Sequence, residues 1–204
     1  MATSEEQQYT ALEGFHRIAA GSLTEVVRKA KEAWDRGEHA PVLIFEEETS
    51  EQIGVNFQGD AEEVLQRLPT TSETSRPSPD APRGPGRPKL GVVAREVTLL
   101  PRHWEWLNEQ PGGASVALRR LVEDARRANQ GRDRIRKAQE ATYRFMSAMA
   151  GNLPGFEEAA RALFARNEER FQELVAAWPE DVRAHVTRLA QEAMQPDRDE
   201  LPAA

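Results

Sequence analysis

Apolar and polar positions follow several different rhythms along these 204 residues, and each predicts a different kind of element. "YTALEG" and "FHRIAAG" read as two short strands around Gly14. "SLTEVVRKAKEAWDRGE" then keeps Val26, Ala30 and Ala33 or Trp34 at helical spacing, and Gly37 ends the run. Ser22, with Glu25 three residues on, forms a capping-box signature at its start. "PVLIF" is a buried strand, "EEETSEQ" a polar turn, and "IGVNF" the returning arm of a hairpin. "GDAEEVLQRL" is a short helix with Asp60 as its cap. Residues 1–68 therefore read as a small α+β domain.

The rhythm stops at "PTTSETSRPSPDAPRGPGRPKL". Six of the 13 prolines fall in this stretch, with almost no apolar residues. A segment of that kind buries too little surface to offset chain entropy, which predicts an extended, disordered linker over 69–91. Order resumes over 92–128. "VVAREVTLL" is a β-branched, strand-like run, Pro101 suits the first turn of the helix "PRHWEWLNEQ", and "PGG" stops it. Ser115 is positioned to cap the next helix, whose stripe is Val116, Leu118, Leu121, Val122 and Ala125. Residues 129–195 are helical. Ile135, Ala138, Thr142, Phe145, Met146 and Met149 form one stripe, and Phe156 to Trp178 carry the next. Pro179 opens a last helix with Val182, Val186, Leu189 and Ala190, and acids in its first turn suit the helix dipole. Residues 196–204 form a disordered tail. The expected fold class is α+β: a small N-terminal domain, a Pro-rich linker, a strand–helix–helix unit and a helical C-terminal region.

Composition narrows the functional classes. Cysteine is absent, so there are no disulfides and no thiol chemistry, which fits a reducing cytoplasm. No apolar run is long enough for a membrane span, and "MATSEEQQYT" is unlike a secretory leader, so no membrane partner is expected. The formal net charge of −7 hides an asymmetry. Residues 71–150 hold 15 Lys/Arg against 9 Asp/Glu, whereas 1–70 hold 6 against 14 and 151–204 hold 6 against 11. A local basic region matters more than the total, because charge is screened beyond about 10 Å.

"RGPGRPKLG", residues 83–91, lies in that basic middle. An extended Gly-Arg-Pro ribbon is narrow, and its arginine suits the floor of an A·T-rich minor groove, where the negative potential is strongest. Proline stiffens the ribbon and glycine lets the backbone approach. The segment resembles the AT-hook, with core Gly86-Arg87-Pro88; Arg83, Arg87, Pro88 and Lys89 would make its groove and phosphate contacts. The run departs from the usual form in its interrupting "PG" and its few flanking cations.

Residues 92–128 resemble the ribbon-helix-helix module. That resemblance implies a homodimer whose paired strands enter the major groove, with the second helix anchored on phosphate by its backbone N–H groups. It would assign base contact to Arg95 and phosphate contact to Ser115, Arg119 and Arg120. The strand has no clean polar face: Arg95 and Thr98 alternate to opposite sides and Glu96 repels phosphate. A helical hairpin with an edge strand packed on the rest of the protein is the competing reading.

Other motifs are weaker. In "HWEW", Trp104 and Trp106 diverge by about 200° on a helix. Trp104, spaced i, i+3 from Leu107, is expected in the core and Trp106 at its cover. "GRDRIRKAQE" reads as a basic helix start, with Glu140 as a partner for Arg136. His16, His39, His103 and His185 are scattered, and Glu46, Glu47 and Glu48 form no facing dyad. No phosphate-cradling loop or nucleophile elbow occurs, so neither enzymatic activity nor a metal or other cofactor is expected.

"GRPKLGVVAREVTLLPRHWEWL", "QPGGASVALRRLVEDARR", "NLPGFEEAARALFARNEERFQELVAAWPEDVRAHV" and "FHRIAAGSL…VLIF" together are similar to a bacterial family known only as a domain of unknown function. That resemblance implies bacterial origin and cytoplasmic location, and no activity. The leading expectation is a bacterial, dimeric DNA-binding regulator or nucleoid-associated protein, its DNA partner A·T-rich. The competing expectations are a protein–protein interaction or scaffold protein without DNA affinity and, more distantly, a small-molecule-binding N-terminal module.

Overall fold

A computed structural model of the chain describes residues 7–37, 40–68, 93 and 95–195. It is α+β, with a four-stranded antiparallel sheet and seven helices among the described residues. The strands are β1 (Tyr9–Glu13), β2 (His16–Gly21), β3 (Val42–Glu46) and β4 (Gln52–Ile53), in the order β2-β1-β3-β4. The helices are α1 (Leu23–Asp35), α2 (Ala61–Gln66), α3 (Pro101–Glu109), α4 (Ala114–Ala150), α5 (Phe156–Phe164), α6 (Glu168–Val175) and α7 (Glu180–Ala193).

The residues fall into two compact units, one drawn from Met1–Leu68 and Gln130–Ala204 and the other from Pro69–Asn129. In the larger unit the two central strands explain the architecture. Side chains alternate across a strand, yet "YTALE" and "VLIFE" are apolar on both faces. A strand of that kind must be covered twice. Tyr9, Ala11 and Ile44 pack on Val26, Val27 and Ala30 of α1 and Val64 of α2. Leu12 and Phe45 face the other way, into a core with Phe145, Met146 and Met149 of α4 and Val182, Val186 and Leu189 of α7. The N-terminal sheet and the C-terminal helices, expected as separate domains, thus share one core. Thr10 is buried among them and is satisfied, its hydroxyl donating to Ala19 O at 3.2 Å.

Local signals hold where local chemistry decides. Ser22 Oγ accepts from the Glu25 amide at 3.4 Å while Glu25 accepts from the Ser22 amide at 3.1 Å, completing the capping box. Asp60 and Glu63 repeat it on α2. Ser22→Ala should destabilise the larger unit by about 1 kcal/mol, read as a shifted urea midpoint with unchanged slope. The exposed edge of β2 is partly closed by α7, where Asp181 accepts from the Arg17 backbone amide at 2.9 Å.

Other expectations give way. The returning hairpin arm is shorter than "IGVNF": β4 is Gln52–Ile53 alone. In the smaller unit, residue 93 and residues 95–100 form no strand. Leu100 is extended, at φ −65° and ψ 149°, as the residue before Pro101 must be. An extended segment becomes a strand only when another edge takes its hydrogen bonds, and among the described residues none does. The two helices expected on either side of residues 129–131 are one helix, the 37-residue α4. Gly131 costs about 1 kcal/mol within it, too little to break a run of good helix formers. Among its described residues the smaller unit holds α3, a turn and α4, and no strand.

Candidate nucleic-acid interface

The link between α3 and α4 turns on Gly112 and Gly113, both left-handed at φ +86° and +76°. A Cβ on Gly112 would lie 3.1 Å from Val116 Cγ1, so the position needs glycine for space as well as for φ. Helix α4 starts at Ala114, and Gly113 O accepts from the amides of Val116 and Ala117. Ser115 thus sits inside the first turn and is not the cap expected of it.

Arg119, Arg120, Arg126 and Arg127 all lie on the exposed side of α4. Spacings of i, i+7 align Arg119 with Arg126 and Arg120 with Arg127, in two neighbouring rows about 10 Å long. Their engagements differ. Arg119 Nε donates to Ser115 O at 3.0 Å. Arg126 donates to both carboxylate oxygens of Glu123, at 2.9 and 3.2 Å, and Arg127 adds a third bond at 3.1 Å. The Arg126 hydrogen bond is the chief cause holding the Glu123 carboxyl below its ordinary pKa. Arg120 makes no side-chain hydrogen bond or ion pair among the described residues, nor do Arg95 and Arg102. Arg95 is exposed on the extended segment. Arg83, Arg87, Pro88 and Lys89 lie outside the described residues, as does His39.

The same unit is unusually apolar on its surface. Leu107 and Ala117 are buried, but Trp104, expected in the core, is 37% exposed and Trp106 48%. Val93, Val97, Leu100, Val116, Leu121 and Val122 are also open. Helix α3 is too short to present two covered faces, and Leu107 alone takes its inner one.

The segment 131–140 is the middle of α4 and not a helix start. Arg136 pairs with Asp133 at 2.9 Å, not with Glu140, and Arg134 lies 3.8 Å from Glu192. The larger unit also holds a groove of about 730 Å³ lined by Glu46, Glu47, Glu48, Arg188 and Glu192 among others. Its charges are largely internal partners: Arg188 bonds Glu47, and Glu46 accepts from Thr49 and Gln7.

His185, by sequence one of four scattered histidines, belongs to the inner face of α7. It is buried, and its ring lies 4.2 Å from that of Phe145. Neither ring nitrogen has a hydrogen-bond partner. Burial, followed by the nearby Arg188 and Arg17 charges, lowers its pKa to about 3. Its spacing to Val182 and Leu189, i−3 and i+4, was the available signal. Among the described residues no group of His, Asp and Glu is arranged to hold a metal ion.

The chain matches, over residues 8–190, the family described as an uncharacterized protein conserved in bacteria, DUF2239. It belongs to that family. No curated protein and no solved structure matches it. Both units of this DUF2239 protein thus fall largely within the family match, α3 and the full length of α4 included. No helix among its described residues is long and apolar enough to cross a membrane.

Proposed function

We propose that this DUF2239 protein is a non-enzymatic, DNA-binding protein of the regulatory or nucleoid-associated kind, acting in the cytoplasm. Arg83, Arg87, Pro88 and Lys89 would enter an A·T-rich minor groove as an AT-hook-like ribbon. Arg95, Arg119 and Arg120 would hold phosphates, with the backbone N–H of Ser115 at the start of α4 adding an anion contact. The observation that carries this reading is the set of arginines without internal partners, Arg95, Arg102 and Arg120, on the unit that follows the basic segment. An exposed cation that no carboxylate engages is available to phosphate without first breaking an ion pair.

Six cations on DNA give a logarithmic salt slope of about −5. Binding to A·T-rich and G·C-rich duplexes, titrated at several salt concentrations, should show that slope and favour the A·T-rich duplex. Arg87→Ala should weaken the A·T-rich complex about tenfold, and Arg120→Ala should reduce the slope by about 1. No binding to either duplex at low salt would sink the proposal. It would leave the second reading, a protein–protein interaction or scaffold protein, which the exposed tryptophans and aliphatics of the same unit favour.

A further inference from the structure

Glu123 stands among four arginines. Spacings of i−4, i−3, i+3 and i+4 put Arg119, Arg120, Arg126 and Arg127 within about 60° of it around α4, so all five residues share one face. The carboxylate bonds only the later two. Arg126 grips it with a fork, Nη2 to Oε1 at 2.9 Å and Nε to Oε2 at 3.2 Å. Arg127 adds a bond from Nε to Oε1 at 3.1 Å. Helix geometry explains the choice. Long side chains lean towards the helix N-terminus, so Arg126 and Arg127 lean onto Glu123 while Arg119 and Arg120 lean away from it. Arg119 shows the lean directly, since its Nε donates to Ser115 O one turn back at 3.0 Å. The neighbouring Asp124 makes no hydrogen bond or ion pair among the described residues.

A carboxylate and a phosphate compete for the same part of an arginine, the edge of N–H groups that holds two oxygens at once. In Arg126 that edge is already filled, and in Arg127 its Nε end is. The competitor is also tethered. Glu123 is carried on the same helix and stays beside the pair at any DNA concentration. Resting on the DNA-binding reading above, we propose that Glu123 sets the far limit of the phosphate grip on α4. Arg119 and Arg120, on its N-terminal side, meet the DNA backbone. Arg126 and Arg127 are withheld from it. Phosphate contact on this helix is thereby confined to its first two turns, although basic residues continue beyond them.

The test uses the full chain and an A·T-rich duplex, titrated between about 50 and 200 mM salt. Glu123→Gln keeps the side chain's size and removes its charge. Two further cations on phosphate should steepen the logarithmic salt slope from about −5 to about −7, so the affinity gain of the variant should shrink roughly tenfold across that range. A second substitution separates released arginines from a simple change of charge. Arg126→Ala alone should leave the slope near −5, whereas in the Glu123→Gln background it should bring the slope back by about 1. Gln and Ala are good helix formers on an exposed face, and unchanged far-UV circular dichroism checks that α4 is intact. An unchanged slope in Glu123→Gln, or an equal effect of Arg126→Ala in both backgrounds, overturns the proposal and leaves the DNA-binding reading in place. No binding by the wild type or by Glu123→Gln at low salt overturns both.

Discussion

Phe145→Ala is expected to destabilise the larger unit by about 3–5 kcal/mol, a third or more of the total stability of an ordinary domain. Phe145 is fully buried at the point where the layers meet. Its ring makes an edge contact with Phe45 of β3 at 5.1 Å between centroids and lies 4.2 Å from His185 of α7. Truncation would open a cavity touching a strand and two helices at once, and helices anchored in a shared core do not collapse freely into it. Because Leu12 and Phe45 of the sheet share that core with α4 and α7, sheet and helices should unfold together. The fluorescence of Trp178, buried in the helical layer, and far-UV circular dichroism should therefore give coincident urea transitions in both proteins. A loss below about 1 kcal/mol would remove Phe145 from the centre of the core. Separate transitions for the two probes would mean that the sheet and the helices are independent after all.

What the sequence made legible divides by the range of the interactions. Ser22 with Glu25, Asp60 with Glu63, and Pro101 at the first turn of α3 are chemistry within four residues, and each element starts where they stand. The apolar runs "YTALE" and "VLIFE" announced strands covered on both faces. They could not name the second cover, because the residues that supply it lie some 100 or more positions away in α4 and α7. Residues 95–100 form no strand for the converse reason: β-branched residues favour a pleated surface only where a neighbouring edge accepts their hydrogen bonds. Gly131 looked like a boundary and is an interior helix residue. Of the candidate interface, the exposure of Arg95, Ser115, Arg119 and Arg120 was legible from residue type. The part Glu123 plays in tying up Arg126 and Arg127 was not, although i+3 and i+4 spacing contained it.

Lowering the pH from 6.5 to 4.5 should cost the larger unit about 2 kcal/mol through His185 alone. Its imidazole has its pKa lowered from 6.5 to about 3 in the folded chain, first by burial and then by Arg188 and Arg17. About a unit or more above pH 6.5 the ring is neutral in both states and its contribution is complete. Below 6.5 the unfolded chain takes up the proton and the folded chain does not, so stability falls by about 1.4 kcal/mol per pH unit until pH approaches the folded value. The buried site gives the charged ring no compensation, since neither nitrogen has a hydrogen-bond partner. His185→Leu removes both the proton site and the unsatisfied ring nitrogens, among them an N–H donor whose burial costs about 1–3 kcal/mol. The variant should thus equal or exceed the wild type at pH 7.5, and its advantage should widen steadily towards pH 4.5. Carboxylates also titrate near the acid end of this window, but they do so in both proteins and cancel in the difference. Urea unfolding of the pair at pH 7.5, 6.5, 5.5 and 4.5 measures that difference directly. Parallel stability curves would show that the proton reaches His185 in the folded state, and hence that the layer between β2, α4 and α7 opens to water.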